Sequence, residues 1–385
     1  MERDLRLDFF RGLALFCIFI DHLPNNILAA FTFQSFMFSD AAEVFILISG
    51  YTAGMVYSRV IERHGFMTAA SRIYHRVGQL YVTHIFLFMM YMAIVAYTVG
   101  TLNNGLYGDE FGATSFLNEP GVALVHALLL QFQPAFMDIL PLYIILVGIL
   151  PLVLRAFRAW SWLVLIGAFT LWLVVQLDSR IALSTYPGPD GVWFFNPLAW
   201  QALFILGAWL GWRRIHGGIP LATRQPVFWF ALALSAAGLL IRFGWTLHDF
   251  YDPIPVLVSG KELWPLLSKG DLGLLRFLNV IAVALVSFRL IDPQAQFFSK
   301  PVAWPFLVCG RNSLHTFCLG ILLSVLGHLV LNEFFGGILM QILLSAAGIG
   351  IMIATAALLE RFVFAKRTSA TNPARVPTVS GGASS

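Results

Sequence analysis

Runs of mostly apolar residues, each close to the roughly 20 positions a helix needs to cross a bilayer, recur along the chain. They fall at 10–31, 41–61, 79–100, 138–156, 160–177, 198–212, 226–246, 272–291, 313–332 and 336–360. Between the third and fourth, residues 101–137 hold GVALVHALLLQF, which is too short to span and is followed by Pro134; this predicts an interfacial or re-entrant helix. The expected fold is an all-α membrane protein, a bundle of about ten transmembrane helices around an amphiphilic tunnel or cavity. The polytopic membrane domain is expected over 1–366. The segment 367–385 is polar and aromatic-free, and predicts a disordered cytoplasmic tail.

Composition explains why water is the wrong solvent. Of 385 residues 58% are hydrophobic and 11% charged, with a mean hydropathy of +0.79. Soluble domains carry about 25% charged residues, so the lipid bilayer is the expected partner over most of the surface. The net charge of +4 does not point to nucleic acid, because the basic residues sit in short groups between apolar runs. Sorted by alternate connections, nineteen Lys and Arg lie on one side, which includes both termini, and five on the other. This positive-inside asymmetry predicts ten spans with both termini cytoplasmic. The first run is read as a span and not as a cleaved leader, because DHLPNN follows it where a small-residue cleavage site would stand. Cys17, Cys309 and Cys318 are dispersed and give neither a disulfide framework nor metal-ligand spacing, so no metal is expected.

The chemistry concentrates on the first run. Asp21 and His22 are ionisable groups in an apolar segment, which is costly unless they are used. Arg11 lies eleven residues before His22, about three turns and roughly 20°, so both share one helix face about 16 Å apart. Pro24 and the two Asn that follow break the helix just beyond. His22 is either a packing residue bonded across the bundle or a neutral base able to take a hydroxyl proton. Asp40 suits a helix N-cap, while Glu43 is either its first-turn companion or a group orienting His22. Arg72 and Arg76 are either orientation signals or a phosphate cradle, and Arg311 with Asn312 carries the same two readings. Outer aromatics, Trp193, Phe194, Phe195, Trp200, Trp245, Tyr251 and Trp264, stand among Asp190, Asp249 and Asp252, as an interfacial belt or a carbohydrate surface.

The segments RLDFFRGLALFCIFIDHLP and FSDAAEVFILISGYTAG resemble the transmembrane acyltransferase superfamily of acyltransferase-3 type, in its OpgC branch. Arg11 and His22 match that superfamily's R-x10-H spacing. Ser49, Gly50 and Tyr51 match its second-helix motif, and CGRNSLHTF at 309–317 resembles a late G-R-x-S-L segment. The branch is named for a succinyltransferase of osmoregulated periplasmic glucan. The resemblance implies a bacterial inner-membrane enzyme that transfers a succinyl or acetyl group to a sugar hydroxyl of an outer glycan. The donor would be a cytoplasmic acyl-CoA, as co-substrate and not bound cofactor. It implies His22 as base, Asp21 or Glu43 as its orienting groups, and Arg11, Arg72, Arg76, Arg311 and Asn312 as donor-binding residues. No obligate protein partner is implied. The alternatives are a transporter using His22 and Arg11 in a proton-coupled pathway, and a scaffold that needs neither.

Overall fold

The computed structural model describes residues 3–188, 191–218, 221–251, 258, 260–334 and 336–371. Its principal helices are α1 (Leu5–Asp21), α2 (Ala41–His64), α3 (Phe66–Leu102), α4 (Pro120–Leu128), α5 (Ile139–Leu177), α6 (Pro197–Ile215), α7 (Gln225–Phe250), α8 (Leu274–Leu290), α9 (Trp304–Arg311), α10 (Ser313–Glu333) and α11 (Ile338–Thr371). Among the described residues no strand forms beyond two isolated bridges. Among the described residues, six helices, α2, α3, α5, α7, α10 and α11, are long and apolar enough to cross a membrane. Helices α1 and α8, at 17 residues each, and α6, at 19, occupy three further apolar runs.

The runs at 138–156 and 160–177 form two helices, the two arms of α5, joined at the non-helical residue Trp160. The two arms run in opposite directions along α6. Tyr143 meets Phe204 and Phe157 meets Trp212 on the way down; Trp162 meets Trp209, and Gln201 donates to the Ala168 carbonyl, on the way back. A single extended backbone at Trp160 therefore reverses the chain.

Elsewhere the boundaries move. α1 starts at Leu5 and stops at Asp21. Pro24 cannot continue it, and Asn25 takes a left-handed conformation (φ 50°). α3 begins at Phe66, not at 79, so Arg72 and Arg76 lie on a helix and not in a connection; Gly65 (φ 81°) makes the reversal from α2. The segment leading into α4, and α4 itself, run back along α3: Phe111 packs on Tyr91, Phe116 on Phe88, and the Tyr81 hydroxyl donates to the Leu128 carbonyl at the end of α4. Phe132 then returns to Phe88. The predicted short helix forms, and the chain returns along α3 after it. Residues 367–371 continue α11, and 372–385 lie outside the described residues.

Two glycine seams let backbones touch. A Cβ at Gly50 or Gly54 of α2 would overlap the carbonyls of Phe204 or Ala208 on α6, and Gly207 and Gly211 answer from the other side. A Cβ at Gly12 of α1 would overlap Phe306, and one at Gly310 of α9 would overlap Asp8. Small residues four apart are the usual means of close helix approach in lipid, where no hydrophobic gain drives association. Gly54→Ala should therefore cost about 1–3 kcal/mol through overpacking, read as a lowered unfolding midpoint of the purified protein in detergent. Gly78→Ala on α3, where a Cβ meets nothing, is the control; an equal effect of both would remove the seam argument. Outward, α3 exposes Val82, Phe86, Met89 and Tyr97, and α11 exposes Leu343, Ile351 and Phe362, as lipid-facing helices should.

Candidate active site

His22 caps the C-terminus of α1, its backbone N–H donating to Ile18. Its ring lies 4.4 Å from that of Phe136, just ahead of α5. The ring makes no hydrogen bond among the described residues, and Nδ1 is sealed without a partner. The ring is held by the residue's backbone and by an aromatic face, with no hydrogen-bond partner across the bundle among the described residues.

The charges acting on His22 are Lys269 and Asp40. They belong to a cluster that joins α2 to the segment before and into α8, buried except at Lys269, whose side chain is 40% exposed. Asp40 and Glu43 form a capping box: the Ala42 N–H donates to Asp40 (2.8 Å) and the Asp40 N–H to Glu43 (2.9 Å). Lys269 pairs with Asp40 at 2.7 Å, while Arg276 donates to Asp40 (3.0 Å) and Glu43 (2.5 Å). Two cations thus offset two carboxylates, which is what makes burial of Asp40, Glu43 and Arg276 tolerable. Burial lowers the pKa of the Lys269 ammonium, but Asp40 and Glu43 more than offset it and hold the group above the ordinary lysine value. The same ammonium acts on Asp138, at the start of α5.

The expected orienting groups are engaged elsewhere. Asp21 accepts from Thr32 Oγ1 (2.7 Å) and Gln34 Nε2 (2.9 Å), which pins the loop after α1, and does not bond His22. Adjacent helix residues diverge by about 100°, so the neighbour in sequence is not the neighbour in space. Glu43 is taken by its cap and by Arg276.

At the other end of the same face, Arg11 opens on a cavity of about 180 Å³ between α1, α2, α3, α5 and α10. Arg11 donates to Thr52 Oγ1 at 3.0 Å, and its contact with Asp8 is long, 3.8 Å, because Asp8 is bonded to Arg3. Arg76, Tyr57, Tyr143, Ser49 and Ser313 complete the polar lining. Two guanidiniums with hydroxyls around them suit a phosphate-bearing anion. Arg72, one turn before Arg76, is exposed and does not line the cavity. Arg311 is tied to Glu360 of α11 through both carboxylate oxygens, and Asn312 donates to the Val308 and Ala356 carbonyls. Both brace α9 against α11, and it is the following Ser313 and Leu314 that reach the cavity. The second-helix motif is divided by helix geometry: Ser49 faces the cavity, Gly50 makes the seam with α6, and Tyr51 faces away from Ser49 into a separate groove.

The cavity runs lengthwise. Its lining on α2 extends from Phe45 to Tyr57, about 18 Å along the helix. Its upper end includes Ile139 and Leu140, which follow Phe136, the residue against which His22 lies. Asp40, Asp138, Lys269 and Arg276 were not singled out as site residues from sequence. The one available signal was that Lys269 and Arg276 are exceptions to the charge asymmetry. Of the outer aromatics, Trp193, Phe195 and Trp200 are buried in packing, the Trp200 indole donating to the Gly270 carbonyl. Asp190 and Asp252 lie outside the described residues. Among the described residues, no three His, Cys, Asp or Glu side chains come together as a metal would need.

A family model described as OpgC protein matches residues 3–363. No curated protein and no solved structure matches the chain.

Proposed function

The chain belongs to the OpgC family, and from that premise we propose that it is an O-acyltransferase of the acyltransferase-3 type in the bacterial inner membrane. It spans the bilayer ten times with both termini cytoplasmic. It moves a succinyl or acetyl group from a cytoplasmic acyl-CoA to a sugar hydroxyl of a periplasmic glucan or a similar outer glycan. The observation that supports this most is the cavity running from Arg11 and Arg76 towards the wall behind which His22 stands. Its length is close to the roughly 16 Å that separates Arg11 from His22 along α1. A donor held by its phosphates at the cationic end has its thioester directed towards the imidazole.

In the reaction, an uncommitted nitrogen of His22 takes the sugar hydroxyl proton as the oxygen attacks the thioester carbonyl. The C–O ester bond forms, the C–S bond breaks, and the thiolate leaves with the proton that the imidazolium returns.

Mass analysis of periplasmic glycans from cells with and without the protein tests the activity. Loss of a fixed acyl mass on deletion is expected. A glycan of unchanged mass that disappears from its compartment would favour transport and overturn the reading. For topology, a reporter fused after residue 370 should behave as cytoplasmic and one at 110 as external, given the nineteen-to-five charge split. A periplasmic signal from the former would overturn the ten-span reading.

A further inference from the structure

A second cavity, about 220 Å³, lies on the far side of α1 and α2 from the Arg11 cavity, bounded also by α6 and α8. Its walls are apolar: Phe10, Leu47, Leu210, Ile281 and Ala284 are typical. On α8 the lining runs from Val280 to Phe288, about 12 Å along the helix. One end alone is polar. There Arg213 lies over the Trp209 ring at 4.8 Å and Arg214 over Phe288 at 5.7 Å. Both arginines are half-buried, and among the described residues neither has a carboxylate within ion-pairing distance. Arg6, beside them, is already held by Asp4 and by the Phe288 and Ile291 carbonyls. The Tyr51 hydroxyl at this end is sealed without a hydrogen-bond partner, and Arg214 is the foremost charge acting on it.

An apolar trough that ends in two unneutralised guanidiniums is complementary to an amphiphile with an anionic head. A soluble anion would leave the trough empty of apolar partners, and a neutral lipid would leave the arginines unmatched. The polar end belongs to the side that carries nineteen of the basic residues, where anionic lipid heads meet basic pockets between helices. We propose that this groove holds one anionic phospholipid of the cytoplasmic leaflet, with an acyl chain between α1, α2, α6 and α8 and its phosphate on Arg213 and Arg214. Helix α2 separates the lipid from the Arg11 cavity, so the site stands whether or not acyl transfer is the activity. The lipid fills the space between α2 and α8 beside the α2–α6 seam, and so braces the helix that carries Ser49 and Thr52.

The test uses the full-length protein, delipidated in detergent and then offered phosphatidylglycerol and phosphatidylcholine of identical chains in equal amounts. Retained lipid is counted by native mass spectrometry. One phosphatidylglycerol per chain is expected, preferred about 30-fold if each arginine contributes as a surface cation does. R213Q/R214Q should abolish the preference, and R213K/R214K, which keeps the charges and the topology signal, should retain most of it. A284W leaves the arginines intact but fills the trough, and should release the lipid. Equal retention of the two lipids, phosphatidylglycerol still bound in A284W, or a preference unchanged in R213Q/R214Q would each overturn the proposal. So would a lipid-free dimer, which would make the groove an interface between copies. Should R213Q/R214Q fail to accumulate, A284W and the two-lipid comparison decide alone.

Discussion

His22→Asn is expected to accumulate in the membrane at close to the wild-type level while acyl transfer per inserted molecule falls at least about 100-fold, within the range lost with a general base. Asparagine keeps a polar group of similar reach but has no basic nitrogen near neutral pH. The structural cost should be small, because α1 ends there through the His22 backbone N–H, which any residue supplies, and the ring has no bond to lose. What the substitution gives up is the contact with Phe136 and the uncommitted nitrogen. A packing histidine predicts the opposite pattern: less protein, with activity falling only in proportion. Transfer measured against the amount of inserted protein separates the two. Activity within a few-fold of wild type would remove His22 from the mechanism and most of the case for an enzyme.

Arg11→Ala should act on the donor side. A charge-assisted contact to a phosphate contributes about 1.5–3 kcal/mol, or roughly 10–150-fold in apparent donor affinity. The larger end is expected here, because the guanidinium is largely buried and Asp8 is too far and too engaged with Arg3 to neutralise it. Arg76→Ala should weaken the same donor dependence, and Arg72→Ala should leave it nearly unchanged, since only Arg76 lines the cavity. Insertion should survive in each case; for Arg11→Ala, Arg3 and Arg6 still mark the N-terminus. A donor dependence in membranes that Arg11→Ala does not alter would reduce Arg11 to a topological signal. Equal losses from Arg72 and Arg76 would mean that the cavity is not where the donor phosphates sit.

The difference between Arg72 and Arg76 shows how far one helix face can be read in advance. Arg11 and His22 could be placed on a common face because both lie on one helix, and eleven residues fix the angle between them whatever surrounds it. The same arithmetic accounts for the break after His22, since Pro24 lacks an N–H whatever its neighbours. The glycines at 50, 54, 207 and 211 were visible, but their meaning was not. A small residue becomes a seam only when a second helix arrives, and sequence does not say which one does. The two runs at 138–156 and 160–177 are two helices as their spacing predicts, and a single non-helical residue at Trp160, with no Gly or Pro beside it, is enough to turn the chain.

The bilayer imposes so strong a constraint on composition and charge that the sequence alone determined the lipid solvent, the helical class, the apolar runs and the Arg11–His22 face. Each of these follows from local spacing or from the cost of placing backbone and charge in hydrocarbon. Partnership was decided only in three dimensions. Asp21 stands next to His22 in the chain yet bonds Thr32 and Gln34, while Lys269, 247 positions away in sequence, supplies a charge that acts on the imidazole. Glu43 turned to Arg276, Arg311 to Glu360, and Tyr51 to a groove that Ser49 does not share. A long side chain pairs with whichever opposite charge the packing brings within about 4 Å, and that depends on which helices meet.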